Sequence, residues 1–269
     1  MSEPILLRLT AEELSLLQSA LRIDKLPGFE LDLLSELNDT QRTQALRTAA
    51  HTLRARGLVG WDGTSRPRIN PAVAEILLDY AHPRYTLFVD TYVASTRVIP
   101  FLYVIGKQAI YEQCQPEPDV LQLRLLNQEQ LWKRLFPELE QHASSGREDL
   151  QGAIIQSVLN EGVEMARENV EAAHQLFSDF LSQSLSERLA AVYHDPKVVQ
   201  YIGRWAQTPT REHPLPDAAL TILQGQEETF LLWLEEPQKG DEARVAVRPA
   251  ARNLLQAYIM QVLPPSMGE

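Results

Sequence analysis

The chain of 269 residues is 44% hydrophobic and 23% charged, which is typical of a soluble globular protein with a large core. Its net charge of −11 disfavours nonspecific coating of nucleic acid, because phosphate binding needs clustered lysine and arginine. The one cysteine, Cys114, excludes an internal disulfide. The first residues lack the pattern of a secretory signal, and the best candidate for a membrane span, Val98 to Gly106, is too short. We therefore expect a cytoplasmic protein without a membrane anchor.

Residues 10–83 are predicted to form a winged-helix-like unit. Capping and breaking residues indicate a first helix after Thr10, a second over Phe29 to Leu37 and a third that ends at Gly57. A hairpin turning at Asp62-Gly63 follows, and then a fourth helix. Three helices, a hairpin and a helix are the order of a winged helix-turn-helix.

From Tyr85 onward the apolar residues alternate, which is the period of a β-strand. The alternation predicts a meander of antiparallel strands at 85–93, 97–106, 107–114 and 119–126. Pro100 indicates an edge or a bulge in the second strand. A helix over 128–136 closes the N-terminal half, and the polar segment 142–148 is predicted to be a linker.

The C-terminal half is predicted to begin with helices and to end with strands. Helical spacing of apolar residues extends over 149–182, and shorter helices are predicted at Ser186 to Tyr193 and Pro196 to Ala206. After a proline-rich connection, three strands are predicted at 219–225, 228–236 and 242–248, followed by a closing helix that ends at Leu263.

A strand that leads into an amphipathic helix and stops at a proline occurs twice, at 119–137 and at 242–264. This repetition predicts an α+β fold of two pseudo-repeated halves, 1–140 and 141–269, each with an antiparallel sheet flanked by helices. The N-terminal half would contain the winged-helix-like unit followed by the meander and helix of 84–140. The C-terminal half would contain the helices of 149–206, then the strands and closing helix of 218–263. We expect the last strand of each half to lie near the middle of one sheet.

No pattern of common catalytic or metal chemistry is present. The GLVGWDG segment lacks the lysine of a phosphate-binding loop and precedes a hairpin, and there is no GxSxG motif. The six histidines do not have zinc-ligand spacing, and His82 and His194 stand at predicted helix ends, where a histidine caps carbonyl groups. We therefore predict a protein that is not an enzyme and requires no cofactor or metal.

The positive charge is concentrated in one segment. Between Thr40 and Asn70 the only acidic residue is Asp62, so the local charge is +5 and the rest of the chain carries −16. The arginines of this segment are Arg42, Arg47, Arg54, Arg56, Arg66 and Arg68. Acidic residues nearby in the sequence, such as Glu13, could pair with some of them internally.

Several stretches resemble the EspG-type proteins, which are cytosolic chaperones associated with ESX (type VII) secretion. The stretches are ARGLV, NPAVAEILLDYAHP and the C-terminal ARVAVRPAARNLLQAYIMQVL. The resemblance implies two related halves that build a continuous sheet flanked by helices, with a surface of sheet and loops that holds the tip of a helical secretion substrate. The short VASTRV connection at 93–98 departs from the long strand-joining loop of some members.

Two functions follow from these patterns. The first is a cytosolic chaperone or adaptor that binds a helical protein through sheet edges and loops, with nucleic acid an unlikely ligand and homodimerisation an open alternative. Its candidate contact residues are Trp61, Ser95, Thr96, Gln238 and Lys239. The alternative is a winged-helix DNA-binding regulator, whose phosphate contacts would come from Arg42, Arg47, Arg54, Arg66 and Arg68.

Overall fold

The fold is described from a computed structural model. The residues that it describes are 6–28, 34, 37–61, 67–94, 96–98, 100–117, 119–135, 151–205, 216, 218–226, 228–235 and 242–250. The chain divides into two compact units. The first comprises Met1–Leu87, Phe101–Leu131 and Trp205–Leu215, and the second comprises Phe88–Pro100, Trp132–Arg204 and Pro216–Glu269.

Seven helices and thirteen strands lie in the described part of the chain. The helices are α1 (Ala11–Leu21), α2 (Asp39–Ala55), α3 (Pro71–Ala81), α4 (Gln128–Leu135), α5 (Gln156–Glu168), α6 (Val170–Ser178) and α7 (Gln183–His194). The strands are β1 (Leu6–Thr10), β2 (Val59–Trp61), β3 (Pro67–Ile69), β4 (Tyr85–Val93), β5 (Thr96–Arg97), β6 (Phe101–Ile105), β7 (Ile110–Glu117), β8 (Val120–Leu126), β9 (Gly152–Ile155), β10 (Val198–Trp205), β11 (Ala218–Gln224), β12 (Thr229–Leu234) and β13 (Arg244–Pro249). The predicted α+β fold with antiparallel pairing is confirmed.

In the first unit, four antiparallel strands lie in the order β1-β8-β7-β6, and helices α1, α2 and α3 contribute to the same hydrophobic core. The core contains Leu14, Leu53, Leu77 and Leu121, all fully buried. The predicted capping box is confirmed. The Thr10 hydroxyl accepts from the Glu13 backbone N–H, and the Glu13 carboxylate accepts from the Thr10 backbone N–H. The hairpin β2–β3 and helix α3 follow as predicted. The predicted helix at Phe29 to Leu37 falls almost entirely outside the described residues.

In the second unit, the strand order is β4-β10-β11-β12-β13-β9, with the short β5 paired to β4. Helices α5, α6 and α7 share a hydrophobic core with this sheet, in which Phe177, Leu189, Phe230 and Val247 are fully buried. Gly162 of α5 permits the close approach of α6, because a Cβ there would lie 2.1 Å from a ring carbon of Phe177.

Three expectations about local structure are wrong. Pro196 to Ala206 was expected to be helical and instead contains strand β10, because its β-branched start suits a strand and Val198 to Arg204 pair with β11. Strands β1 and β9 were not predicted, since each is short and runs directly into a helix. The single strand expected at 97–106, with an edge or a bulge at Pro100, is instead two strands, because β5 ends before Pro100 and β6 begins after it.

The last strands of the two halves do not lie near the middle of a sheet. β8 lies between β1 and β7, and β13 lies between β12 and β9, so each is next to the outermost strand of its unit. The outermost strand in each unit leads directly into a helix, β1 into α1 and β9 into α5. The closing helix predicted to end at Leu263 lies outside the described residues. In the described part of the chain, no helix is long and apolar enough to cross a membrane.

A candidate partner-binding groove in the second unit

A groove of about 450 Å³ lies between helix α5 and the sheet of the second unit. Its floor is formed by strands β10 to β13, and α5 forms one wall. The floor includes Tyr201, Ala219, Thr221, Leu232 and Leu234, and the wall includes Asn160, Val163, Glu164 and Arg167. We call this site the α5 groove.

The floor of the α5 groove is apolar and becomes exposed toward one end. Tyr201 pairs with Thr221 and Thr221 with Leu232, so the three side chains lie side by side on one face of the sheet. Leu232 is buried in the core beneath the helices, whereas Tyr201 is 48% exposed and Leu234 is 46% exposed. Ala219 and Thr221 belong to β11, which lies between the strands of Tyr201 and Leu234. Their small side chains leave a hollow between two large exposed ones.

The wall of the groove is mostly polar, and the opposite charges of its ion pair cancel. The wall residues recur every three or four positions, so they share one face of α5. The Arg167 guanidinium donates to the Glu164 carboxylate at 2.7 Å, and both side chains are largely exposed. Burial raises the pKa of the Tyr201 phenol, an effect that the charge of Arg167 opposes. Tyr201 is therefore neutral at physiological pH, and the floor presents no charge.

An aromatic contact extends the floor toward the β4–β5 hairpin. The rings of Tyr92 and Tyr201 meet edge to face, with centroids 6.2 Å apart. Tyr92 pairs with Arg97 across the hairpin, and Arg97 donates to both carboxylate oxygens of Asp90 at 2.8 and 3.0 Å. The paired side chains of Arg97 and Tyr92 lie on the face of Tyr201. Thr96 is exposed and pairs with Val93, on the opposite face.

Thr96, one of the residues predicted as partner contacts, does not line this groove. Trp61 ends β2 opposite Pro67, in the first unit. Thr96 lies at the hairpin just described, while Ser95, Gln238 and Lys239 fall outside the described residues. Sequence reasoning missed the groove because it placed Tyr201 in a helix. The β-branched pair Val198-Val199 followed by Tyr201 was the signal that could have placed it on a sheet, because these residue types favour strands.

Four of the five arginines proposed to contact DNA are exposed, and the fifth is not described by the structure. Arg42, Arg47 and Arg54 are exposed on α2, and Arg68 is exposed on β3, whereas Arg66 falls outside the described residues. The segment's remaining arginine, Arg56, donates to Glu13 at 2.9 Å and to the Arg8 carbonyl at 2.6 Å. The expected internal pairing with Glu13 is therefore made, by Arg56.

The histidine and the cysteine considered as chemical groups in the sequence, His194 and Cys114, lie within helix and strand structure. His194 Nδ1 lies 2.9 Å from the Ala166 carbonyl, so a histidine at a helix end contacts a carbonyl near the end of α5. Cys114 is a free, partly buried thiol in β7. Within the described residues, no group of three His, Cys, Asp or Glu side chains could hold a metal ion.

The fold has a counterpart among solved structures. No family model matches the chain, and no curated protein matches it in sequence. The chain is similar in structure to the Mycobacterium tuberculosis type VII secretion system chaperone EspG5, solved in complex with the PE25–PPE41 dimer. The TM-score is 0.63, the sequence identity is 14%, and 96% of each chain is covered. At this identity the likeness shows a shared fold over nearly the whole chain.

Proposed function

We propose that the protein is a non-enzymatic, cytosolic EspG-like chaperone or adaptor, which holds a helical segment of a secretion substrate in the α5 groove. One observation carries the proposal: Tyr201 and Leu234 expose large apolar side chains on either side of a hollow, beside the exposed wall of α5. The shared fold with EspG5, which was solved with a PE25–PPE41 dimer bound, supports this type of function.

The shape and charge of the groove suit a helix. An amphipathic helix presents a ridge of apolar side chains three and four residues apart, which can enter a groove between a helix and a sheet. The hollow above Ala219 and Thr221 accepts a protruding side chain, while Tyr201 supplies a rigid aromatic surface with a polar hydroxyl. Aromatic residues at the centre of an interface commonly dominate its binding energy.

The contact residues predicted from the sequence would lie at the edge of the proposed interface. Thr96 lies at the β4–β5 hairpin, and the Tyr92 side chain of that hairpin contacts Tyr201 on the groove floor. Ser95 remains a candidate contact. We propose that this hairpin makes additional contacts with a long partner. Trp61, Gln238 and Lys239 remain candidate contacts.

The proposal is tested by purifying the tagged chain from its native host, identifying the partner by mass spectrometry, and measuring its dissociation constant by calorimetry. Leu234→Asp should weaken binding by tenfold or more, because truncation of a hot spot costs about 2 kcal/mol or more. Leu78→Asp is the matched control, since Leu78 is an exposed leucine of α3 in the other unit. Equal affinities of the two variants, or recovery of the chain only with itself, would contradict the proposal.

The alternative function is a winged-helix DNA-binding regulator. It is favoured by the position of α2, which precedes the β2–β3 hairpin as a recognition helix precedes a wing and exposes Arg42, Arg47 and Arg54. It is opposed by the net charge of −11. Sequence-specific DNA binding at physiological salt that is lost on Arg47→Ala would support it.

A further inference from the structure

The outer face of helix α2 carries exposed arginines that the proposed function does not use. We infer that this face binds a carboxylate-rich segment of a partner protein. Arg47 and Arg54 are seven residues apart, so they point from the same face of the helix, about 10.5 Å apart along its axis. Thr40 and His51 lie on the same face, and all four residues are exposed. We call this surface the α2 arginine face.

Most of helix α2 is not used to build the core. Of its 17 residues, only Ala49 and Leu53 are buried, and both lie in its C-terminal half. That half is also fixed to α1, because the Thr52 hydroxyl donates to Glu13 at 2.7 Å. A long helix that is anchored on one side leaves its opposite face free to meet another molecule.

The α2 arginine face has few carboxylates of its own. Asp39, the first residue of α2, lines the same surface hollow as Arg47, but from Thr40 to Trp61 the sequence contains no Asp or Glu, although the chain has 36 acidic residues in 269. Six other arginines of the chain are matched internally, in the pairs Arg8–Glu117, Arg56–Glu13, Arg97–Asp90, Arg124–Glu112, Arg167–Glu164 and Arg188–Glu228. Within the described residues, Arg42, Arg47 and Arg54 have no carboxylate partner. A guanidinium group fits a carboxylate through two parallel hydrogen bonds, so these side chains are suited to carboxylates from another chain.

An acidic protein segment fits this face better than DNA does. Duplex DNA carries one negative charge per about 1.7 Å of its axis, and the −16 carried outside residues 40–70 repels it over a wide area. A short segment brings only a few charges and meets less repulsion. A partner helix with glutamates seven residues apart would place its carboxylates at the same separation as Arg47 and Arg54.

The test is fluorescence anisotropy with two labelled probes at about 50 mM salt, where charge pairing is weakly screened. One probe is a glutamate-rich helical peptide of about 15 residues with glutamates at seven-residue spacing. The other is a DNA duplex of about 20 base pairs. The variant R47Q/R54Q is compared with R84Q/R244Q, which removes the same charge from two exposed arginines elsewhere. All four substitutions are on exposed side chains, and circular dichroism verifies that both variants are folded.

We expect the peptide to bind the unmodified chain and the control variant equally, and R47Q/R54Q about tenfold more weakly, since two exposed charge pairs are lost. Absence of peptide binding, or equal weakening by the control variant, would overturn the inference. Tighter binding of the duplex than of the peptide would assign the face to nucleic acid instead. The groove variant Leu234→Asp should bind the peptide normally, so this result does not depend on the proposed function.

Discussion

The Arg56 guanidinium donates to the Glu13 carboxylate at 2.9 Å, and the Glu13 side chain is only 4% exposed. The same carboxylate accepts from the Thr52 hydroxyl at 2.7 Å and from the Thr10 backbone at 3.2 Å. One buried side chain therefore caps α1 and fixes α2 against it.

Replacing this carboxylate should destabilise the first unit. We expect Glu13→Ala to lower the free energy of unfolding by about 2 kcal/mol, because it removes the buried acceptor shared by the Thr10 backbone, the Thr52 hydroxyl and the Arg56 guanidinium. The Thr52 hydroxyl keeps its second acceptor, the Ala49 carbonyl at 2.9 Å. Half-exposed Arg56 can be solvated instead, which limits the loss. Urea unfolding followed by circular dichroism measures the change. Glu187→Ala, on the exposed surface of α7, is the control, and equal effects of the two variants would contradict the prediction.

Asp79 should hold the turn between β6 and β7. Its Oδ1 accepts from the backbone of Lys107 at 2.7 Å, and its Oδ2 accepts from the Tyr111 hydroxyl at 2.9 Å. Asp79→Ala removes these acceptors, and we expect a loss of about 2 kcal/mol in the free energy of unfolding. Faster amide exchange confined to residues of β6 and β7 would locate the effect, and unchanged exchange there would contradict it.

Gly162 should not tolerate a side chain. Alanine normally favours a helix over glycine by about 1 kcal/mol, yet a methyl group here would lie 2.1 Å from the Phe177 ring. We expect Gly162→Ala to destabilise the protein by about 1–3 kcal/mol through overpacking. Gly60→Ala is the matched control, since its methyl group would meet nothing nearer than 3.7 Å. A more stable Gly162→Ala variant would show that α5 and α6 can separate without cost.

Stability should fall in alkaline solution because of buried tyrosines. Burial raises the pKa of Tyr80, Tyr111 and Tyr193 above the ordinary value of 10.0. The unfolded chain therefore loses these protons first, and stability that is complete below pH 10 declines as the pH rises through the folded-state pKa values. Tyr193→Phe should reduce this decline and leave stability at neutral pH nearly unchanged. Unfolding midpoints measured between pH 7 and about 11 test this, and an identical decline in the variant would contradict it.

Local signals predicted much of the fold, and they failed where tertiary contacts decide. The capping box at Thr10 and the alternation of β8 depend on neighbouring residues, so both were predictable. Strand β9 is four residues long and continues into α5, so its apolar residues fit a helical spacing equally well. It is a strand because it pairs with β13, which is distant in sequence. The α5 groove could not be predicted for the same reason, since its floor joins Tyr201 to Thr221 across two strands.

The ion pair on the wall of the α5 groove has a consequence for solution conditions. Glu164 and Arg167 lie 2.7 Å apart and neutralise each other, and the floor beside them is uncharged. Association in the groove should thus depend little on ionic strength, because it rests on apolar contact. Association at the α2 arginine face should weaken as ions screen its unpaired charges. A salt titration would then separate the two surfaces, because added ions weaken binding at one and leave binding at the other nearly unchanged.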